Sequence, residues 1–320
     1  MKDFFRKKVG TDGTIWNLPN YDGELFTASI VKTPFLSAIG GLNGGKQTNN
    51  FEFPTSSLYT IDAAAQPAIT ENQAITGATA GQAARTQVKN VTQIFQEAIS
   101  VSYVKLSNQG RLSGINSVGA QNNANDELSF QQMVKLQKIA RDVNYTFHNG
   151  AYAISTTADV ANATRGMLEL CASGNTVAAG GASISKTLMK QILRTMFAAG
   201  ATFNNLVIFC NAFQLQSLSE IYMYAPTDRN VGGVQMKQLM MDIAGNVGVI
   251  LDSDMPTTTV GLYEMSVIAP VFQPVPSKGN LFYEPLAKTG AAEKGQLFGQ
   301  IGLDHGPAFM HGSITGLANS

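Results

Sequence analysis

Charge is scarce in this chain. Asp, Glu, Lys and Arg make up 14% of its 320 residues, and 22 basic side chains balance 22 acidic ones. A soluble domain usually devotes about a quarter of its residues to charge and keeps some net charge to stay dispersed. Neutrality with few charges suits a surface covered by other subunits, although an ordinary sparsely charged domain has the same composition. No basic stripe marks a nucleic-acid binder. The one cluster, Lys2, Arg6, Lys7 and Lys8 around Asp3, touches phosphates weakly or is a solvated tail. Cysteine is scarce too: Cys171 and Cys210 exclude a disulfide framework. No apolar run approaches the roughly 18 residues of a membrane span. The N-terminus lacks the apolar core of a signal peptide. The setting expected is cytosol-like, with no membrane.

Catalytic patterns are equally thin. Gly40 to Gly45-Lys46 matches most of a phosphate-binding loop, but Gln47 stands where Ser or Thr would hold magnesium, and Phe51 and Phe53 follow in a strand pattern. The segment reads instead as a glycine hinge. His305 and His311 are six apart with no Cys nearby, which is not a zinc spacing. His148 sits at a helix end, where a cation suits the dipole. Asp242, Asp252 and Asp254 lack calcium-loop spacing and read as turn formers. No Gly-x-Ser-x-Gly elbow is present. The expectation is no enzyme, no cofactor and no metal.

What the chain does have is a long stretch unable to fold by itself. Residues 62–87 hold only two large apolar side chains, Ile69 and Ile75. Ordering backbone costs about 1–2 kcal/mol per residue, whereas one buried isoleucine returns roughly 1.5–3 kcal/mol. Such a segment is disordered, or it lies on a surface that supplies the missing contacts. Strand-like alternation flanks it, at Phe51 and Phe53 before and at Ile99, Val101 and Tyr103 after. Residues 46–104 therefore read as one extended hairpin that reaches toward another copy.

The remaining chain alternates elements. Phe130, Met133, Val134, Leu136, Ile139, Ala140, Val143 and Phe147 predict a helix over 127–149, capped by Asn125 or Asp126 and closed by a left-handed Gly150. Residues 155–182 read as a linker or surface excursion, with Arg165-Gly166-Met167-Leu168 as a short anchor within it. A second lobe opens at Ser185 with a helix to Gly200. A buried strand follows at 206–209, ended by a packing Cys210, and then a helix from Asn211 to Tyr222. A further helix is expected over 236–243 and a strand over 247–251. This gives an α/β layer. Strands return at 260–269, 281–283, 297–303 and 308–314. The class is α+β.

Several segments, in order, resemble the major capsid proteins of tailed bacteriophages. They are Leu25-Phe26 with Thr33-Pro34-Phe35-Leu36-Ser37-Ala38-Ile39-Gly40, Asn90-Val91-Thr92-Gln93-Ile94-Phe95, and Gly245-Asn246-Val247-Gly248-Val249 with Asp254-Met255-Pro256. Leu286-Ala287-Lys288-Thr289-Gly290 and His311-Gly312-Ser313-Ile314-Thr315-Gly316-Leu317 complete the series. The resemblance implies the capsid fold first seen in phage Hong Kong ninety-seven. Its parts would be an N-terminal arm (1–45), an extended loop (46–104), a peripheral domain with a long spine helix (105–184, helix 127–149), an axial domain (185–258) and strands returning to the peripheral domain (259–320). Because the chain begins close to the arm, a scaffolding segment is expected to be absent or supplied by a separate protein. Lys46 and Lys89 flank the loop, but its tip has no lysine, so a Lys–Asn cross-link is not expected.

The function implied is a virion capsid protein, assembled in the host bacterial cytoplasm from hexamers and pentamers into an icosahedral shell. Its partners would be itself, scaffolding, portal and decoration proteins, and packaged double-stranded DNA. Expected contacts between copies are Ile69, Ile75, Arg85, Phe35 and Leu36, and expected weak DNA contacts are Lys2, Arg6, Lys7 and Lys8. Two rivals are a cargo-enclosing bacterial compartment of the same fold and a soluble α/β enzyme. The enzyme would need a cluster of titratable groups that the sequence does not offer.

Overall fold

The structure, a computed structural model, describes residues 32–77, 82–107, 127–222, 225–231, 234–241, 243–288 and 290–319. The first described element is α1 (Pro34–Ala38), with proline in the opening turn, where its missing N–H costs nothing. Next come β1 (Lys46–Gln47), β2 (Glu52–Tyr59), α2 (Glu71–Thr76), β3 (Arg85–Val91), β4 (Gln93–Ser102) and α3 (Tyr103–Ser107). The long helix is α4 (Glu127–Asn149). After it run α5 (Met167–Ala172), β5 (Asn175–Ala178), α6 (Lys186–Ala198), β6 (Leu206–Cys210) and α7 (Ala212–Ile221). The last strands are β7 (Ala225–Val231), β8 (Val234–Met241), β9 (Gly245–Leu251), β10 (Val260–Glu264), β11 (Ala269–Phe272), β12 (Leu281–Pro285), β13 (Ala292–Asp304) and β14 (Gly312–Thr315).

The first lobe is built on β13. It pairs antiparallel with β4 from Ala292↔Ser102 to Ile301↔Gln93, and with β11 and β12 on its other edge. Alternation along β4 buries Phe95, Ile99 and Val101 and leaves Ile94 exposed. The helix α4 crosses this sheet. Its Lys135 and Lys138 reach Glu97 on β4 at 2.8 and 2.6 Å. Burial pushes the Glu97 carboxyl up, but the two lysines outweigh it and hold the group below its ordinary range.

The second lobe is a seven-stranded sheet ordered β5-β14-β10-β6-β9-β8-β7. Strands β6 and β9 run parallel with α7 between them, the expected α/β layer. Alternation along β6 divides two cores. Leu206, Ile208 and Cys210 pack with Met189, Ile192 and Met196 of α6 and Leu218 of α7. Val207 and Phe209 face Phe35, Val143, Phe147 and Leu170 on α1, α4 and α5. The two cores thus lie on opposite faces of one sheet, and the lobes share the second.

Four expectations change. Residues 236–243 are not a helix: β8 pairs antiparallel with β9 from Lys237↔Val249 to Met241↔Gly245, because pairing to a neighbouring strand overrides a short ambiguous apolar pattern. The hairpin is shorter than 46–104, since among the described residues β2 pairs with β3, and β4 belongs to the first sheet. The boundaries at 184/185 and 258/259 do not separate the sheets. β5, β10 and β14 lie in the second sheet, whereas β11, β12 and β13 return to the first. Finally, Gly150 is not left-handed. It is required by close approach, since a Cβ there would lie 2.5 Å from both Thr146 O and Thr164 O.

Candidate assembly surfaces

The extended hairpin has two unlike ends. At its tip, every described residue from 59 to 87 is exposed. Ile61, Ile69 and Ile75 are 81%, 70% and 78% exposed. Among the described residues between β2 and β3, the one regular element is α2, which carries a capping box in which Thr70 and Gln73 satisfy each other's backbone N–H groups. Nothing of α2 is buried. A helix this short is marginal in water, and so is an isolated two-stranded hairpin.

At its base the hairpin is fixed by polar side chains. The Asn90 amide donates to Leu303 O at 2.8 Å and to Arg165 O at 3.3 Å. Its oxygen accepts from the N–H groups of Arg165 and Val91 at 2.8 and 2.9 Å. The Thr92 hydroxyl donates to Gln273 at 2.8 Å, and Gln93 accepts from the Thr164 N–H at 3.3 Å. Gly302 of β13 leaves room for this junction: a Cβ there would sit 2.8 Å from both the Phe53 ring and Val91 O. The Asn90-Val91-Thr92-Gln93 segment is thus a clamp between the hairpin, β13 and the segment entering α5.

The root of the N-terminal segment is held in the same way. Asp252, at the end of β9, is fully buried. Its carboxylate accepts from His148 Nε2 at 3.1 Å, from Asn144 Nδ2 at 3.1 Å, from the Asp254 N–H at 3.0 Å and from the Phe35 N–H at 3.4 Å. Asn144 also accepts the Leu36 N–H at 3.0 Å. Burial alone would raise the Asp252 carboxyl, but the contacts from His148, Asp254 and Asn144 hold it below its ordinary value. Aromatic rings close the site: Phe35 lies 4.6 Å from the His148 ring and 5.1 Å from Phe209, centroid to centroid.

A third surface is the first half of α4. The apolar stripe of this helix runs along its whole length, but only Ile139, Val143 and Phe147 of it are buried by the chain itself. Met133, Val134 and Leu136 stay exposed.

Expected contact residues separate accordingly. Ile69, Ile75 and Arg85 lie exposed on the hairpin. Phe35 and Leu36 do not face outward: they are 0% and 2% exposed in the chain's own core, where the Asp252 network and Phe209 hold them. Lys2, Arg6, Lys7 and Lys8 lie outside the described residues, as do Asn125, Asp126 and Asp242. Asp252 and Asp254 are partners of a buried network rather than simple turn formers. The signal available in sequence was Asn144, a polar residue on the buried face of α4 between Ala140 and His148.

The other polar groups serve structure. His311 accepts the Glu264 N–H on Nδ1 at 3.2 Å and donates from Nε2 to His305 O at 2.7 Å. Burial pushes its pKa down to about 4. Both thiols are buried, and burial pushes Cys210 up to about 12. Among the described residues, no group of His, Cys, Asp and Glu is arranged to hold a metal ion, and no helix is long and apolar enough to cross a membrane. Lys46 is tied to Asp304 in an ion pair of 2.5 Å rather than aimed into a phosphate loop.

An exposed hairpin, a long helix across a β-sheet and a second mixed α/β lobe define a shell-forming protein of the Hong Kong ninety-seven capsid type. The fold is shared with solved capsids. The cyanophage A-1(L) capsid is similar with a TM-score of 0.64 at 15% identity, covering 95% of this chain and 98% of that one. The capsid of Myoviridae phage XM1 gives 0.57 at 12% identity over 93% and 96%. The SrpI encapsulin of Synechococcus elongatus PCC 7942 gives 0.55 at 10% identity over 92% and 94%. The sequence itself matches the SU10 major capsid protein family over residues 8–318, and the chain belongs to that family. No curated protein matches it. It is a major capsid protein, a structural component of a virion that assembles with copies of itself into a shell.

Proposed function

We propose that the hairpin tip, residues 62–87, is the element that joins one copy to the next. The carrying observation is that every described residue from 59 to 87 is exposed while the hairpin's base is buried and hydrogen-bonded. A neighbouring copy supplies the surface that Ile69 and Ile75 lack, and Arg85 lies at the edge of that contact. Copies arranged as hexamers and pentamers close an icosahedral head around double-stranded DNA, with assembly in the host bacterial cytoplasm. Scaffolding, portal and decoration proteins act as further partners, and the Lys2, Arg6, Lys7 and Lys8 cluster touches packaged DNA weakly. Low net charge supports this reading, because many copies packed closely then repel little.

The experiment is deletion of residues 62–87 with a short glycine-serine bridge. The expected product is a subunit with native circular dichroism and a near-native melting temperature that forms no stable shells by electron microscopy. Normal shells from the deleted chain would overturn the proposal.

A further inference from the structure

The first sheet keeps one open edge. β4 pairs with β13 along its ten residues without a register shift. The Lys294 and Gln300 carbonyls of β13 accept the N–H groups of Leu286 and Gln273, on the side of β12 and β11. Backbone groups alternate sides along a strand, so Gly295, Leu297 and Gly299 turn toward β4 and bond there with Ile99, Glu97 and Phe95. Ile94, Gln96, Ala98 and Ser100 therefore aim their N–H and C=O groups at the outer edge. The Thr92 N–H has the same direction, and Phe51 O accepts it at 2.8 Å. Among the described residues nothing bonds to the outward backbone groups of β4 beyond that point, and all four residues are exposed. An open edge is a template for another strand, and proteins guard theirs with proline, basic residues or shortness. Among the described strands the other edges are guarded. β2 holds Pro54, β3 holds Arg85 and Lys89, β7 holds Pro226 and Arg229, and β12 ends in Pro285. β1 and β5 have only two and four residues. β4 has none of these guards, and its one charge, Glu97, is tied to Lys135 and Lys138 of α4.

We propose that the edge of β4 takes an added strand from a second copy of this chain, supplied by that copy's residues 60–66. The proposal rests on the reading of the hairpin tip as the joining element and names the surface that receives it. The segment Thr60-Ile61-Asp62-Ala63-Ala64-Ala65-Gln66 is exposed, lies outside any helix or strand, and makes no backbone hydrogen bond to a described residue. It carries one charge, Asp62, and Pro67, which has no N–H to give, ends the pairing. Two sets of unpaired backbone groups, both nearly free of charge, thus complete each other by strand addition. A copy does not serve itself. β3 leads into β4 through Thr92 alone, so the seven residues of β3, roughly 23 Å, stand between a copy's own tip and the start of its β4.

The test is cysteine cross-linking in shells of the full-length chain. Ala98→Cys is combined in turn with Ala63→Cys, Ala64→Cys and Ala65→Cys, all at exposed positions, while the native thiols are buried. Under mild oxidation, alternate members of this series should link copies into multimers on a non-reducing gel, and the single variants should not. Absence of links in all three pairs would overturn the proposal. So would dimers from Ala98→Cys alone, which would mean that β4 pairs with β4. Amide exchange on the unsubstituted chain reads the same contact without any variant. Residues 94, 96, 98 and 100 should exchange at least roughly a hundredfold more slowly in shells than in subunits, whereas 95, 97 and 99 are slow in both. Equal exchange of the first set in the two states would overturn the pairing by itself. Protection of residues 60–77 in shells with β4 unchanged would sink this edge and leave the tip reading standing, and protection of neither would sink both.

Discussion

The two ends of one hairpin follow opposite rules. Its base spends polar side chains on fixing position: Asn90, fully buried, satisfies backbone groups from two other segments. Its tip spends nothing, and even the capped turn α2 touches no core. The same two strands therefore connect a rigid junction to an element with no stability of its own. The difference shows how a capsid subunit can be a stable fold before assembly and still keep a surface whose order depends on a neighbour. If the tip joins copies as proposed, stability and assembly fall to separate ends, so substitutions should separate them.

The largest effect on the subunit belongs to the root beside the hairpin. Asp252→Ala leaves His148 and the Phe35 N–H without their shared acceptor, and removing one member of a buried pair costs about 3–5 kcal/mol. Chemical denaturation of free subunits should read that loss. The sign with pH follows from the depressed carboxyl: its contribution is complete above the unfolded value of 3.8 and is lost as pH falls through the lower folded value. Asp252→Asn should remove that acid dependence.

Asn90→Ala tests the base directly. It orphans the Arg165 N–H and Leu303 O in the interior, at a cost of about 1–3 kcal/mol, read as a lower denaturation midpoint. A neutral result would mean that the clamp is not what fixes the hairpin. The smallest effect on the subunit belongs to the tip. Ile69→Ser with Ile75→Ser should change subunit stability by no more than about 0.5 kcal/mol while raising the concentration needed for shells, measured by light scattering. A large loss of subunit stability would place those isoleucines in the chain's own core and dissolve the contrast.

Local pattern carried much of this architecture. The apolar stripe of α4 marked the helix at 127–149, the limits the structure gives, and the apolar poverty of 62–87 marked a tip with no described residue buried. Cys210 ends a buried strand, as its position after Leu206-Val207-Ile208-Phe209 implied. Non-local pairing was not legible. That β4 pairs with β13 and not with β2 depends on partners some two hundred residues downstream, and no local period encodes it. β8 looked helical because Met236, Leu239 and Met240 fit a helical spacing, until β9 supplied a strand to pair with. Phe35 and Leu36 were expected between copies and are internal instead, because the network that holds them joins α1, α4 and the residue after β9.

The most direct measurement is amide hydrogen exchange over residues 60–77, compared between free subunits and assembled shells, with residues 90–92 as the internal reference. Rapid exchange of 60–77 in subunits and strong protection in shells, with 90–92 protected in both, is the predicted result. Equal exchange of 60–77 in the two states would contradict the claim that a neighbouring copy orders the hairpin tip.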